Sequence, residues 1–245
     1  MLLKLHKSKR NIFIFRRKEN TMSDCDESSL HTKVNNFKIW AKANYPEITE
    51  KSDNGEWCFC TEFDEMVSEA LRFIENNFVN KSTEQIVNDL LYAIARDNEC
   101  STIITELEQY SEWFSLLCKC SLNTVYINAK WQFAEHLSNC KGDDNLKRLV
   151  FEFLDTGDEY TERLALRALA DLYPEKAEKY AIDFWNRKKY DCDEYQKIMV
   201  LHVLYQIHSP QLHFYLKAAE QSNYNYLKSN AQEIRKKIES ETTLI

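Results

Sequence analysis

Apolar residues recur three and four positions apart along most of this chain, the spacing of one face of an α-helix. Phe63, Met66, Val67, Ala70, Leu71 and Ile74 predict a helix over 61–78, with Thr61 able to cap it. Ile86, Leu90, Leu91, Ile94 and Ala95 predict another over 82–97, opened by the capping-box sequence Ser82-Thr83-Glu84-Gln85. A third runs from Ser101 through Ile104, Leu107, Tyr110, Trp113, Phe114 and Leu117. A fourth spans 124–139 with Ile127, Trp131, Ala134 and Leu137, and a fifth spans 144–155, with Gly157 placed to end it. Ahead of these, Val34, Phe37, Ile39 and Trp40 predict a short helix over 32–43. It stops at Tyr45-Pro46, because the residue before proline disfavours the helix, and a loop with the turn signal Asp53-Asn54-Gly55 follows.

One pattern then occurs twice. Glu159-Tyr160 opens a helix over 158–172 carrying Leu164, Leu166, Leu169 and Leu172. Glu194-Tyr195 opens another over 193–208 carrying Met199, Leu201, Leu204 and Ile207, with matched residues 35 apart. Pro174 and Pro210 follow at first-turn positions, where a missing N–H costs little. A last helix over 224–240 carries Leu227, Ala231, Ile234 and Ile238. A repeat of this length built from two helices is the mark of an α-solenoid. The expected fold is all-α: a right-handed solenoid of about five antiparallel helix hairpins over 61–245, with a short N-terminal helical extension over 22–60.

Composition narrows this further. Three glycines and three prolines in 245 residues leave little for the tight turns and close backbone approaches of sheet-rich or nucleotide-binding folds. Charge is uneven. Residues 1–21 hold seven basic residues and one acid, whereas the rest of the chain holds 25 basic and 38 acidic residues, a balance of −13. The basic segment is either a mispredicted start ahead of Met22 or a basic arm or weak targeting segment. The acidic body repels nucleic acid and anionic membrane and suits a basic protein partner. No stretch reaches the roughly 20 apolar residues of a membrane span. Eight cysteines, most of them inside helical patterns and without a visible signal peptide, point to free thiols in a reducing cytoplasm.

The phrase Gly157-Asp158-Glu159-Tyr160-Thr161-Glu162-Arg163-Leu164-Ala165-Leu166-Arg167-Ala168-Leu169 resembles a HEAT repeat, of the kind found in stand-alone bacterial HEAT-repeat proteins. Arg163, Ala165 and Ala168 match that family's second helix, whereas Ile198 replaces the arginine in the next repeat. The similarity covers roughly 143–208. It implies that the second helix of each hairpin, over 82–97, 124–139, 158–172, 193–208 and 224–240, lines a concave face. The 35-residue offset then aligns Gln132, Arg167 and His202 at one level and His136, Asp171 and Gln206 one turn on, with Arg163 also on this face and Trp131 nearby. The plainer reading is the solvated face of amphipathic helices.

Candidate chemistry is sparse. Cys58-Phe59-Cys60 and Cys118-Lys119-Cys120 are too closely spaced for structural zinc. Two residues at i and i+2 on a helix point about 200° apart, so buried thiols are expected. His208 and His213 flank Pro210 at a turn without a fixed carboxylate or thiol beside them. His136 and His202 have no nucleophile at a telling spacing. There is no phosphate loop, no His-Glu-x-x-His and no Gly-x-Ser-x-Gly. The expectation is a protein without catalytic residues, metal or cofactor that binds a protein partner. Its concrete form is an immunity-type inhibitor of a basic toxin domain, aided by electrostatic steering. The rivals are an adaptor or assembly scaffold and a HEAT-like nucleic-acid enzyme such as an alkylpurine DNA glycosylase. The latter needs a basic groove that the acidic body does not offer.

Overall fold

A computed structural model describes residues 27–47, 60–139 and 142–243. The basic segment 1–21, the turn signal at 53–55 and Cys58 lie outside the described residues. Within them the chain is helical throughout and no strand occurs. The helices are α1 (Glu27–Asn44), α2 (Thr61–Asn76), α3 (Glu84–Arg96), α4 (Thr102–Leu107), α5 (Ser111–Ser121), α6 (Ile127–His136), α7 (Asp144–Arg148), α8 (Val150–Phe153), α9 (Glu159–Leu172), α10 (Pro174–Asn186), α11 (Glu194–Gln206), α12 (Leu212–Glu220) and α13 (Asn225–Thr243). No described helix is long and apolar enough to cross a membrane.

Several helix starts follow from local chemistry, though some caps are shifted from their expected residue. Cys60, not Thr61, caps α2, its sulfur accepting from Phe63 N at 3.3 Å. Thr83 caps α3 through Ile86 N, so the reciprocal Ser82–Gln85 box does not form, and Gln85 instead donates to Asp89 at 3.0 Å. Ser101 sits at the start of α4 in a left-handed conformation with no side-chain cap. That role passes to Asp97, whose carboxylate accepts from Ile103 N at 2.6 Å. Asp143 and Asp158 cap α7 and α9. Pro174 is the first residue of α10, as expected, whereas Pro210 precedes α12 in a turn.

Two predicted helices are broken. The stretch 101–117 divides into α4 and α5 around Glu108–Tyr110, and 144–155 divides into α7 and α8 at Leu149. Neither break contains glycine or proline. Around the first, α4 lies on α2, α3 and α6, and α5 lies on α3 and α6.

The longer helices pack in succession. α6 lies between α3 and α9, α9 between α6 and α11, and α11 against α13. On another side of this row, α8 packs on α6 and α9, α10 on α9 and α11, and α12 on α11 and α13. One continuous apolar core runs from Leu30, Val34 and Phe37 to Leu227, Ala231 and Ile234. Polar ties cross it: Trp113 Nε1 donates to Asn77 O at 2.8 Å, and Gln132 Nε2 to Ile94 O at 2.7 Å. A carboxylate is also enclosed. Glu162 is fully buried, accepts from Gly157 N and Lys189 Nζ at 2.8 Å each, and lies 2.9 Å from Arg187 Nη2. This cluster fastens the loop after α10 to the start of α9.

Candidate functional site

Three helices of the row, α9, α11 and α13, begin next to an aromatic side chain that the packing leaves toward solvent, and α6 adds the buried Trp131. Tyr160, Tyr195 and Tyr226 are each the second residue of their helix, and they are 39%, 49% and 63% exposed. Trp131 meets Tyr160 edge to face at a centroid distance of 5.3 Å. The Arg163 guanidinium lies 4.7 Å from the Tyr160 ring and 5.4 Å from that of Tyr195. Tyr195 then stacks on Tyr226 at 6.4 Å. The result is a continuous strip of rings with one guanidinium inserted, crossing four helices. Arg163 also faces the Glu159 carboxylate at 3.1 Å. Burial pushes the Glu159 carboxyl pKa up, and Arg163 opposes that shift.

Further along the same helix faces the contacts change character. Arg167 on α9 pairs with Glu135 on α6. His202 Nε2 on α11 contacts Asn230 Oδ1 on α13 at 3.1 Å. About one turn on, Gln206 Nε2 donates to Asp171 Oδ1 at 2.9 Å, and the Tyr205 hydroxyl donates to Glu241. His136 Nδ1 contacts Glu108 Oε1 at 2.6 Å, and Asn139 donates to the same oxygen at 2.5 Å. Arg163, Arg167, Asp171, His202 and Gln206 therefore lie in a run of contacts linking neighbouring helices, with His136 at its margin.

Gln132 does not belong to that surface. It is fully buried, with Nε2 shared between Ile94 O and Asn128 O. The face of α6 that meets α9 carries Trp131 and Glu135, one position earlier than a strict 35-residue offset places it. The reason is that α6 starts at Ile127, after a turn in which Thr124 accepts from Tyr126 N.

The aromatic strip escapes a reading based on polar residues alone. Its sequence signal is the tripeptide Asp-Glu-Tyr, present at 158–160 and again at 193–195. In the first copy the acids serve the local helix, through the Asp158 cap and the Glu159–Arg163 contact. In the second, Asp193 pairs with Lys197 at 2.7 Å, and Glu194 accepts from Tyr226 N and Leu227 N at the start of α13. Both leave the tyrosine pointing outward.

Other sites offer less chemistry. Among the described residues no group of three His, Cys, Asp or Glu side chains could hold a metal ion. Cys118 is buried and Cys120 partly exposed, which puts the two thiols on different sides of α5. A groove of about 780 Å³ between the start of α3 and the α5–α6 turn is lined by Thr83, Glu84, Asn88, Cys120 and Asn123. Burial pushes the Cys120 thiol pKa up, with Lys119 acting weakly against it, so its thiolate is disfavoured as a nucleophile.

Neither family models, nor curated proteins, nor solved structures yield a match to this chain.

Proposed function

We propose that this protein is a non-catalytic, HEAT-like helical-repeat module that binds a protein partner through the face formed by α6, α9, α11 and α13. The observation that carries this reading is the strip of exposed rings of Tyr160, Tyr195 and Tyr226 with the half-buried Arg163 among them. Tyrosine, tryptophan and arginine are the residue types that concentrate binding energy in protein interfaces. Their rings are large and rigid and lose little conformational entropy on contact. The successive packing of α6, α9, α11 and α13, with α8, α10 and α12 to one side, supports the repeat architecture.

In its most concrete form the module is an immunity-type inhibitor that covers the working surface of a toxin domain. The balance of −13 outside residues 1–21 favours fast association with a basic nuclease-type toxin. The test is co-expression with the toxin domain encoded nearest to its gene. Rescue of growth is expected, together with a stable complex on size-exclusion chromatography. Both should disappear in the Tyr195→Ala/Tyr226→Ala double variant. Unaltered toxicity with no complex would remove the inhibitor reading.

A further inference from the structure

Acids on the face just described are held in different ways, and at the aromatic end Glu194 accepts, among the described residues, only from Tyr226 N and Leu227 N. At the aromatic end, Arg163 contacts Glu159, and one level further Arg167 is paired with Glu135. At the other end stand Glu108, Asp171 and Glu241. Among the described residues none of these three is paired with a lysine or arginine. Each is held by neutral or titratable donors: His136 and Asn139 on Glu108, Gln206 on Asp171, and Tyr205 on Glu241. The carboxylates are thus positioned but not neutralised by a permanent cation. A carboxylate offers about four lone-pair sites, so each keeps capacity for a further donor.

The two ends lie on one face by helical geometry. Tyr160 and Asp171 are 11 residues apart on α9, and Tyr195 and Gln206 the same on α11. Eleven residues are close to three full turns, or about 16 Å.

We infer that the partner bound here presents a basic surface in a defined arrangement. An apolar or aromatic anchor seats on Tyr160, Arg163, Tyr195 and Tyr226, and lysine or arginine side chains toward the other end of these helices meet Asp171, about 16 Å along α9, and Glu241, about 22 Å along α13, with Glu108 beside the end of α6. This rests on the protein-binding reading and specifies the partner's chemistry. A lysine or arginine adds Coulombic attraction that the neutral donors Gln206, Tyr205 and Asn139 do not supply to these carboxylates, so a basic partner gains where an acidic one is repelled. The acidic body adds long-range attraction of the same sign.

A library of short random peptides panned against the full-length protein tests this. Retained peptides should be enriched in lysine and arginine together with aromatic residues. Their affinity should fall at least tenfold for Asp171→Lys/Glu241→Lys, and also for Tyr195→Ala/Tyr226→Ala. A control variant, Glu175→Lys/Asp183→Lys, changes net charge equally at exposed positions of α10 and should lose far less. All six positions are exposed, and circular dichroism verifies that each variant folds. Retained peptides that are neutral or acidic, or that the control reversal weakens as much, overturn the basic-partner inference while leaving the aromatic strip as a binding face. Peptides indifferent to Tyr195→Ala/Tyr226→Ala overturn the binding face itself.

Discussion

Glu162 places a carboxylate where water does not reach, and Gly157 N, Lys189 and Arg187 surround it. Tyr190 lies against the same group. Burial first, and Glu162 second, push its hydroxyl pKa well above the ordinary tyrosine range. Breaking a buried ion pair by removing one member leaves the other uncompensated, at about 3–5 kcal/mol for full burial. Arg187 and Lys189 are partly exposed, so Glu162→Ala should cost about 3 kcal/mol, read as a lower urea midpoint. A loss under about 0.5 kcal/mol, the scale of an ordinary surface change, would show that the cluster contributes little. Asp97 makes a different case. It is buried, and desolvation raises its pKa from 3.8 to about 6, against the opposing bonds from Ile103 N and Thr102 N. In that situation the folded state holds the proton more tightly than the unfolded one. The contribution of Asp97 to stability is therefore greatest below about pH 4 and is lost as pH rises to about 6. Asp97→Asn keeps an acceptor for Ile103 N without ionising. It should flatten the stability–pH curve across that window, as measured by thermal unfolding in a series of buffers.

At the scale of the element, α11 ends without the glycine that usually closes a helix. His208 takes the left-handed conformation at φ 52°, and Ser209 N reaches back to Leu204 O at 2.9 Å. Those are the marks of a Schellman-type end. A residue with a Cβ pays about 1–2 kcal/mol in this region, and glycine gives part of that back through its freer unfolded state. His208→Gly should therefore stabilise the protein by about 1 kcal/mol, raising the melting midpoint by about 2–4 °C for a chain of this size. An unchanged or lower midpoint would mean that the imidazole has a packing role that outweighs the backbone term. Helix α9 shows the opposite economy, since Asp158 caps it by accepting from Thr161 N at 2.8 Å. Helix α11 lacks a side-chain cap, and Lys197 holds Asp193 instead, lowering its carboxyl pKa against the effect of burial. The two halves of the repeated sequence thus start their helices differently although both begin Asp-Glu-Tyr.

For the whole molecule, stability and binding should separate cleanly along the aromatic strip. Trp131 is almost buried, and its indole donates to Asn128 Oδ1 at 2.8 Å. Tyr195 and Tyr226 are largely exposed. Trp131→Ala should cost about 3–5 kcal/mol of stability. Tyr195→Ala/Tyr226→Ala should change stability by under about 1 kcal/mol, yet weaken partner binding by at least 2 kcal/mol, the scale of an interface hot spot. Calorimetry on the free protein and on its complex reads both quantities. A double variant that unfolds early would show the strip to be a seam of the fold rather than a docking surface.

The helical nature of the chain, several helix starts and the pairing of Tyr160 with Tyr195 were legible in the residues themselves, because caps, prolines and three-to-four spacing act over a few positions. The repeat length also placed Arg167, Asp171, His202 and Gln206 on a shared side. Tertiary structure alone decided which neighbour each side chain meets. It turned Gln132 inward to Ile94 O and brought Glu135 out to Arg167. The stretches at Glu108–Tyr110 and at Leu149 are interrupted where no local breaker exists. Helix α11 is enclosed by α9, α10, α12 and α13, so its apolar pattern runs around much of its circumference and does not announce the face that carries Tyr195. A fixed offset along the sequence maps onto space only while successive turns have equal length. The turn before α6 differs from those before α9 and α11, and packing across the row, rather than periodicity along it, set the register of the exposed face.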